Sequence, residues 1–198
     1  MTAQTSRLVI MLAAFTAGLV LCLSVVLLVS QRGNVPIPQP STVGGPFKLI
    51  DQEGRTVTEQ DMKGKPFLVF FGFTHCPDVC PTALFDISEV FRKLGPDAGR
   101  ANALFVTVDP ARDNPEALKS YLSSFDPQLR GLTGDQAAID AVVKAYRAYA
   151  KKVPNLDGSH TMDHTALVYL MDKEGRFVAP FNLKRRPEES AADLRRYF

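Results

Sequence analysis

The chain has 198 residues, with 23 Lys+Arg against 21 Asp+Glu and a formal net charge of +2. A charge this close to neutral gives no basic field, so nucleic-acid binding is not expected. Thirteen Phe and five Tyr exclude a mostly disordered chain, and three cysteines are too few for a disulfide scaffold. Beyond the first 32 residues, the length suits one compact domain.

The first segment is an apolar run from Leu8 to Val29. It holds 22 residues without a charge or a proline, close to the length that crosses a bilayer core of about 30 Å at roughly 1.5 Å per residue. A cleavable signal peptide has a shorter apolar region, about 7–15 residues, and small residues at its cleavage site. We therefore predict an uncleaved transmembrane anchor over 8–29 behind a short tail at 1–7, with cleavage as the alternative.

The anchor also sets the expected compartment. Arg7 and Arg32 nearly balance across it, and we expect the short N-terminus in the cytoplasm with the domain exported. Seven residues before the run are too few for an Arg-rich mitochondrial presequence. This favours a bacterial inner-membrane protein with its C-terminal domain in the periplasm. The alternative is a mitochondrial inner-membrane protein facing the intermembrane space.

A proline-rich linker is predicted at 30–46, because four of the fourteen prolines lie between Pro36 and Pro46. Such density favours an extended polyproline II stalk, with a disordered linker as the simpler alternative. The folded domain is then expected to run from Phe47 to Phe198.

Within that domain, strand and helix patterns alternate. A β-hairpin with its turn at Glu53-Gly54 is expected first, followed by apolar strands at 66–73, 103–108 and 166–171. Amphipathic helices are predicted at 83–94, 115–125 and 135–150, and the tail 187–198 is predicted to be helical. This order predicts an α/β fold: a thioredoxin-like mixed sheet with flanking helices and an N-terminal β-hairpin, preceded by one transmembrane helix.

The chemistry is concentrated in the stretch FFGFTHCPDVCPTAL, residues 70–84. Cys76 and Cys80 follow a buried strand and open a helix, whose free N–H groups and dipole are expected to lower thiol pKa values. Two sulfurs at C-x-x-x-C spacing can converge on one small ion or close a disulfide. A pair of buried thiols or a purely structural disulfide is the simpler alternative.

All three histidines of the chain lie near this motif in the predicted fold. His75 adjoins Cys76, while His160 and His164 precede the strand at 166–171. We rank His164 first as a metal ligand and His160 second, and expect His75 either to face solvent or to contact a ligand without binding the metal itself. Two thiolates and one imidazole form a soft donor set that suits Cu(I).

Zinc is the less favoured metal, because a structural zinc site takes four protein ligands. Only Asp78 or Asp163 is at hand to supply the fourth. We expect Asp78 instead to place negative charge at the helix N-terminus, and Asp163 to orient His164.

Three segments, GFTHCPDVCPTAL, VTVDPARDNPEALKSY and TMDHTALVYLMDKEGRF, occur in the same order as in a known family. With them, the chain from about Phe47 to Phe198 resembles the Sco/SenC family of copper chaperones for cytochrome c oxidase assembly. The resemblance implies that Cys76, Cys80 and His164 bind one copper ion, Cu(I) by preference with Cu(II) as the alternative. It also implies a metallochaperone rather than an enzyme, with no catalytic residue.

The same resemblance implies the partners: a copper donor, and the copper-binding subunit of cytochrome c oxidase, whose binuclear site receives the ion. One departure stands out. The family usually has a tyrosine in the stretch before the histidine ligand, whereas this chain has Ser159-His160-Thr161-Met162. The role of His160 is therefore open.

Three other functions are weighed against copper delivery. A thiol–disulfide oxidoreductase would use Cys76 and Cys80 as a redox-active pair to reduce the cysteines of that binuclear site or of another exported protein, but such motifs usually read C-x-x-C. Peroxiredoxins resemble the chain at 79–82, yet they carry Thr or Ser three residues before the reactive cysteine, where this chain has Pro77. A copper or redox sensor is the third class.

Overall fold

The computed structural model describes residues 3–32 and 43–198. The chain divides into two units, and the described part of the first is helix α1 (Ala3–Arg32). In the part of the chain that is described, no helix is both long enough and apolar enough to cross a membrane. The anchor at 8–29 therefore stays a prediction. The predicted linker at 30–46 falls mostly on 33–42, outside the described residues.

The second unit is built on a mixed β-sheet. Its strands, in chain order, are β1 (Lys48–Asp51), β2 (Thr56–Thr58), β3 (Phe67–Gly72), β4 (Asn102–Thr107), β5 (Leu129–Thr133), β6 (Ala150–Pro154), β7 (His160–His164), β8 (Val168–Met171) and β9 (Phe177–Pro180). Seven of them form one sheet in the order β2-β1-β5-β4-β3-β8-β9. Strands β6 and β7 pair with each other as a separate antiparallel ribbon.

The strand pairing agrees with the predicted thioredoxin-like arrangement. The central strand β3 is parallel to β4 and antiparallel to β8. Strands β1 and β2 form the predicted N-terminal hairpin, and Gly54 in its turn has a positive φ of 77°, which glycine adopts without strain. Strands β8 and β9 form a second hairpin.

Helices cover both faces of this sheet. They are α2 (Val79–Leu94), α3 (Pro115–Leu122), α4 (Gln136–Ala145) and α5 (Pro187–Arg195). Successive residues of a strand point to opposite faces. The Phe71 ring packs edge-on against Tyr146 at the end of α4, whereas Gly72 faces Cys80 of α2. Helix α5 packs on α2.

The apolar core explains why β3 occupies the centre. All six of its residues, FLVFFG, are buried, as expected of a strand covered on both faces. Burying each phenylalanine contributes about 1.5–3 kcal/mol. The strand is therefore firmly held in the core and gives the next segment a fixed starting point. The loop after Gly72 and the start of α2 carry the cysteine motif.

Some predicted elements end elsewhere. The helix predicted at 135–150 stops at Ala145, since Arg147 has a φ of 51° in the left-handed region and the chain then extends into β6. The helix predicted to reach 125 ends at Leu122. Strand β5 and the β6–β7 ribbon were not predicted, because LRGLT, AKKVP and HTMDH contain no continuous apolar run.

Candidate metal centre

The two motif cysteines lie where β3 gives way to α2. The N–H of Cys76 donates to the carbonyl of Phe73 at 3.2 Å, which turns the chain toward the helix. Helix α2 then begins at Val79, four residues before the predicted start at 83, with Asp78 at the N-cap position. The free N–H of Cys80 in this first turn donates to the Cys76 sulfur at 3.4 Å. The first turn of the helix thus places a backbone donor directly against that sulfur.

Gly72 makes room for the second sulfur. A Cβ at this position would lie 2.8 Å from the Cys80 Sγ and 2.7 Å from the Phe105 ring, well inside normal contact distance. Only glycine therefore lets the Cys80 sulfur rest against the end of β3. Sequence reasoning missed this role, although the glycine stands directly between the apolar strand and the cysteine motif.

The two thiols differ in environment. Cys80 is fully buried, whereas Cys76 is partly exposed. Burial raises the pKa of the Cys80 thiol, and its hydrogen-bonding neighbour Cys76 raises it further. The prediction that the helix N-terminus lowers both thiol pKa values is therefore wrong for Cys80, since loss of water outweighs the helix dipole there.

His164 reaches the cysteines from the end of β7. Its ring packs edge-on against Phe73 at 5.8 Å and Phe70 at 6.2 Å between centroids. Its Nδ1 lies 3.2 Å from the carbonyl oxygen of Thr165. Because a carbonyl only accepts, Nδ1 carries the hydrogen, and Nε2 keeps its lone pair. That Nε2 lies 3.6 Å from the Cys80 Sγ.

The residue that orients the His164 ring is not the predicted one. Asp163 is exposed on β7, and the Thr165 carbonyl takes the orienting position beside Nδ1. The prediction that Asp163 orients the imidazole is wrong, because neighbouring residues of a strand point to opposite faces.

The donor atoms of Cys76, Cys80 and His164 all lie within 4.8 Å of one another. Among the described side chains, this is the one such group of three or more His, Cys, Asp or Glu residues. Ligand atoms held about 2.0–2.3 Å from a shared ion are separated by roughly 3.5–4 Å in a trigonal arrangement. Small side-chain movements therefore suffice to bring all three onto one ion.

The other two histidines stay outside this cluster. The His75 side chain is 56% exposed and its Nδ1 lies 3.0 Å from the Thr74 hydroxyl, in line with the expectation that it faces solvent. His160 points instead at Asp109, with 3.0 Å between Nε2 and Oδ2. The second-ranked candidate is thus a hydrogen-bond partner of Asp109, not a member of the donor cluster.

Two buried carboxylates near the site were also missed. Asp113 is fully buried and accepts hydrogen bonds from Thr74 and Thr107, while Asp109 contacts Arg112 and His160. Both belong to the segment VTVDPARD, which sequence reasoning used only for its resemblance to a family. An acidic pair directly after a buried strand was the available signal.

Comparison with known proteins identifies the family. Residues 35–198 match the family described as SCO1/SenC. The chain belongs to the SCO1/SenC family. The human relative, "Protein SCO1 homolog, mitochondrial", is 39% identical over 158 residues, which cover 77% of this chain and 52% of that protein.

Relatives from other organisms match to a similar degree. Fission yeast "Protein sco1" is 38% identical over 160 residues, which cover 79% of this chain and 61% of that protein. The SCO2-like protein RC0895 of Rickettsia conorii is 37% identical over 155 residues, which cover 77% of this chain and 76% of that protein. The chain thus spans little more than half the length of the human and fission yeast SCO1/SenC proteins.

Solved Sco structures share the fold. ScoI of Bradyrhizobium japonicum with copper bound is 65% identical, with a TM-score of 0.77 over 79% of this chain and 99% of that one. Yeast Sco1 with copper bound is 36% identical, with a TM-score of 0.72 over 79% of this chain and 88% of that one. The mixed α/β, thioredoxin-like fold with helices flanking a sheet is therefore confirmed.

Proposed function

We propose that the chain is a membrane-anchored copper chaperone that delivers copper to the binuclear site of cytochrome c oxidase during assembly. It binds one ion through Cys76, Cys80 and His164. The observation that carries this proposal is the convergence of two thiols and one imidazole within 4.8 Å. Solved family members from Bradyrhizobium japonicum and yeast, described as copper-bound, support the choice of metal.

The donor set favours Cu(I). Sulfur and imidazole are soft ligands, and three of them match the low coordination number of this ion better than the four ligands that zinc takes. Both thiols give up their protons when the ion binds, including the buried thiol of Cys80. A Cys76–Cys80 disulfide offers no thiolate, so oxidation would switch binding off.

The exposure of the ligands suggests how the ion leaves. Cys76 and His164 are partly exposed, whereas Cys80 is fully buried. An incoming pair of cysteines on the recipient therefore meets the Cys76 and His164 side of the ion first. Copper then passes by stepwise ligand exchange, with Cys80 releasing it last. The recipient is the copper-binding subunit of cytochrome c oxidase, and a separate donor loads the site.

We further propose that the uncharged run at 8–29 anchors the chain in a bacterial inner membrane with the domain from 47 onward in the periplasm. A membrane shared with the oxidase raises the local concentration of the two proteins without any new contact. Extraction of the membrane fraction with alkaline carbonate and with detergent tests the anchor. Release by carbonate alone would contradict it.

Metal content of the full chain, purified in detergent, is the direct test of the copper site. We expect one copper ion per chain after loading with Cu(I) under reducing conditions, and none after the cysteines have been oxidised to a disulfide. Equal uptake by the oxidised protein would refute a thiolate site. Transfer is then followed by mixing the loaded chain with the copper-free recipient subunit.

Reduction of a partner's cysteines is the second candidate function. It is favoured by the partly exposed Cys76 beside the buried Cys80, an arrangement that suits an attacking and a resolving thiol. A dithiol reductase has no obligatory use for His164, which lies 84 positions beyond Cys80.

The variant His164→Ala separates the two functions. We expect it to hold copper much more weakly and to fail in oxidase assembly, while the Cys76–Cys80 pair still cycles between dithiol and disulfide. Cys76→Ser and Cys80→Ser should also block assembly. If His164→Ala kept copper and supported assembly while either serine variant failed, the reductase would become the better account.

A further inference from the structure

One short loop contacts both segments that carry the proposed ligands: the cysteine turn, or cysteine half, and the ribbon with His164, or histidine half. It spans residues 109–113, between β4 and α3, and is called the clasp loop below. The cysteines belong to the β3–α2 connection, whereas His164 belongs to the β6–β7 ribbon, which pairs with no strand of the seven-stranded sheet. Three residues join the ribbon to β8, whose Val168 pairs with Phe70 of β3, so side-chain contacts add to this backbone link in setting the distance between His164 and the cysteines.

The C-terminal end of the clasp loop holds the cysteine half. Asp113 is fully buried. Its Oδ2 accepts the backbone N–H of Thr74 at 3.0 Å and its Oδ1 accepts the Thr74 hydroxyl at 2.6 Å. The Thr107 hydroxyl donates to Oδ2 at 2.6 Å. Thr74 stands two residues before Cys76, so this carboxylate ties the turn that carries Cys76 to the end of β4.

The N-terminal end of the clasp loop holds the histidine half. Asp109 is 4% exposed, and its Oδ2 lies 3.0 Å from the Nε2 of His160. The Arg112 guanidinium pairs with the same oxygen. His160 and His164 are four positions apart on β7 and therefore point to the same side of the ribbon. The contact with Asp109 thus fixes the face of the ribbon that presents His164.

The loop itself is internally bonded. The N–H of Asp113 donates to the Asp109 carbonyl at 3.0 Å, and the N–H of Asp109 donates to the Thr107 hydroxyl at 3.0 Å. The two carboxylates are therefore held at a set separation. These hydrogen bonds link the two ends of the loop directly.

We propose that Asp109 and Asp113 are positioning residues that set the distance between the cysteine pair and His164. This rests on the proposed copper site. Asp109 acts through His160 and the ribbon, whereas Asp113 acts through Thr74 and the cysteine turn. In this proposal His160, whose role the sequence left open, holds the ribbon in place through its contact with Asp109. Loss of such supporting contacts typically costs about 10–100-fold in metal affinity.

The test places each substitution in two backgrounds, the wild-type chain and His164→Ala, using the full chain in detergent. Cu(I) affinity is measured by competition with a chromophoric chelator, and thermal unfolding of the copper-free protein reports folding. Asp109→Asn and His160→Ala should each lower affinity about tenfold in the wild-type chain. In His164→Ala, both should change it less than twofold, because the ligand that they position is already gone.

Asp113→Asn should behave differently and lower Cu(I) affinity in both backgrounds. It should also shift the reduction potential of the Cys76–Cys80 pair, whereas Asp109→Asn should leave that potential unchanged. If Asp113→Asn does not fold, Thr74→Val takes its place, since it removes the hydroxyl donor and keeps the backbone bond. Asp97→Asn is the matched control. This carboxylate pairs with Arg100 and Arg195 at the surface, and its loss should leave affinity unchanged in both backgrounds.

The results separate this inference from the proposed function. A wild-type chain without Cu(I) affinity refutes the copper site itself. If the wild-type chain binds Cu(I) and both Asp109→Asn and His160→Ala bind it with the same affinity, the positioning role alone is refuted. Equal losses from Asp109→Asn in both backgrounds also refute it, because the residue would then act on something other than His164.

Discussion

Replacing Gly72 with alanine tests how tightly the Cys80 sulfur is held. The new Cβ would lie 2.7 Å from the Phe105 ring, 2.8 Å from the Cys80 Sγ and 3.2 Å from the Phe70 ring. Apolar atoms pack best about 3.5–4.0 Å apart. The ring and the sulfur must therefore each retreat by roughly 1 Å from a closely packed core.

Two effects follow from this retreat. Overpacking a core typically costs about 1–3 kcal/mol, which for a domain of about 150 residues lowers Tm by roughly 2–4 °C per kcal/mol. The displaced sulfur also loses its 3.6 Å approach to the His164 Nε2. We expect Cu(I) affinity to fall about tenfold or more, the equivalent of at least about 1.4 kcal/mol.

Thermal unfolding of the copper-free protein and chelator competition measure the two effects separately. Gly99→Ala is the matched control, since nothing lies within 4 Å of a Cβ built there, and we expect it to stay within about 0.5 kcal/mol of wild-type stability. Unchanged Tm and unchanged Cu(I) affinity in Gly72→Ala would refute the packing argument.

Two further predictions concern stability. Burial raises the pKa of Asp51, but hydrogen bonds from Arg55 and Glu53 outweigh it and lower this pKa below its usual value. The ionised carboxylate therefore stabilises the fold. This contribution is fully present above the unfolded pKa of about 3.9 and is lost as pH falls through the folded pKa. Asp51→Asn should therefore flatten the loss of stability in acid titrations followed by circular dichroism below about pH 4, and an unchanged slope would contradict this. Among the described residues, the buried hydroxyl of Tyr121 has no hydrogen-bond partner. Tyr121→Phe should therefore leave Cu(I) affinity within tenfold and keep or raise Tm, whereas a lower Tm would indicate an unseen partner.

The predictable part of the fold is the part with an unmistakable apolar pattern. The run at 66–73 gave β3 within a residue or two, and the helix after the cysteines followed from its apolar spacing. The pairing of distant residues was harder. The family resemblance and the positions of the three histidines predict that His164 lies beside the cysteines, as the structure shows.

What sequence reasoning missed depends on tertiary contacts. The β6–β7 ribbon has mostly exposed residues and so carries no hydrophobic signal. The rise in the pKa of Cys80 depends on how much protein covers the sulfur, which spacing does not reveal. The partners of Asp109 and Asp113 lie up to 51 positions away, beyond the range of any local pattern.

The ligands come from two distant parts of the chain, and this has a consequence for biosynthesis. Cys80 and His164 are separated by 84 positions, and the ribbon that carries His164 is made after the cysteine-bearing helix. An incomplete chain therefore exposes two thiols without the imidazole that completes the set. An ion that needs all three donors would therefore be held only by chains made and folded at least as far as His164.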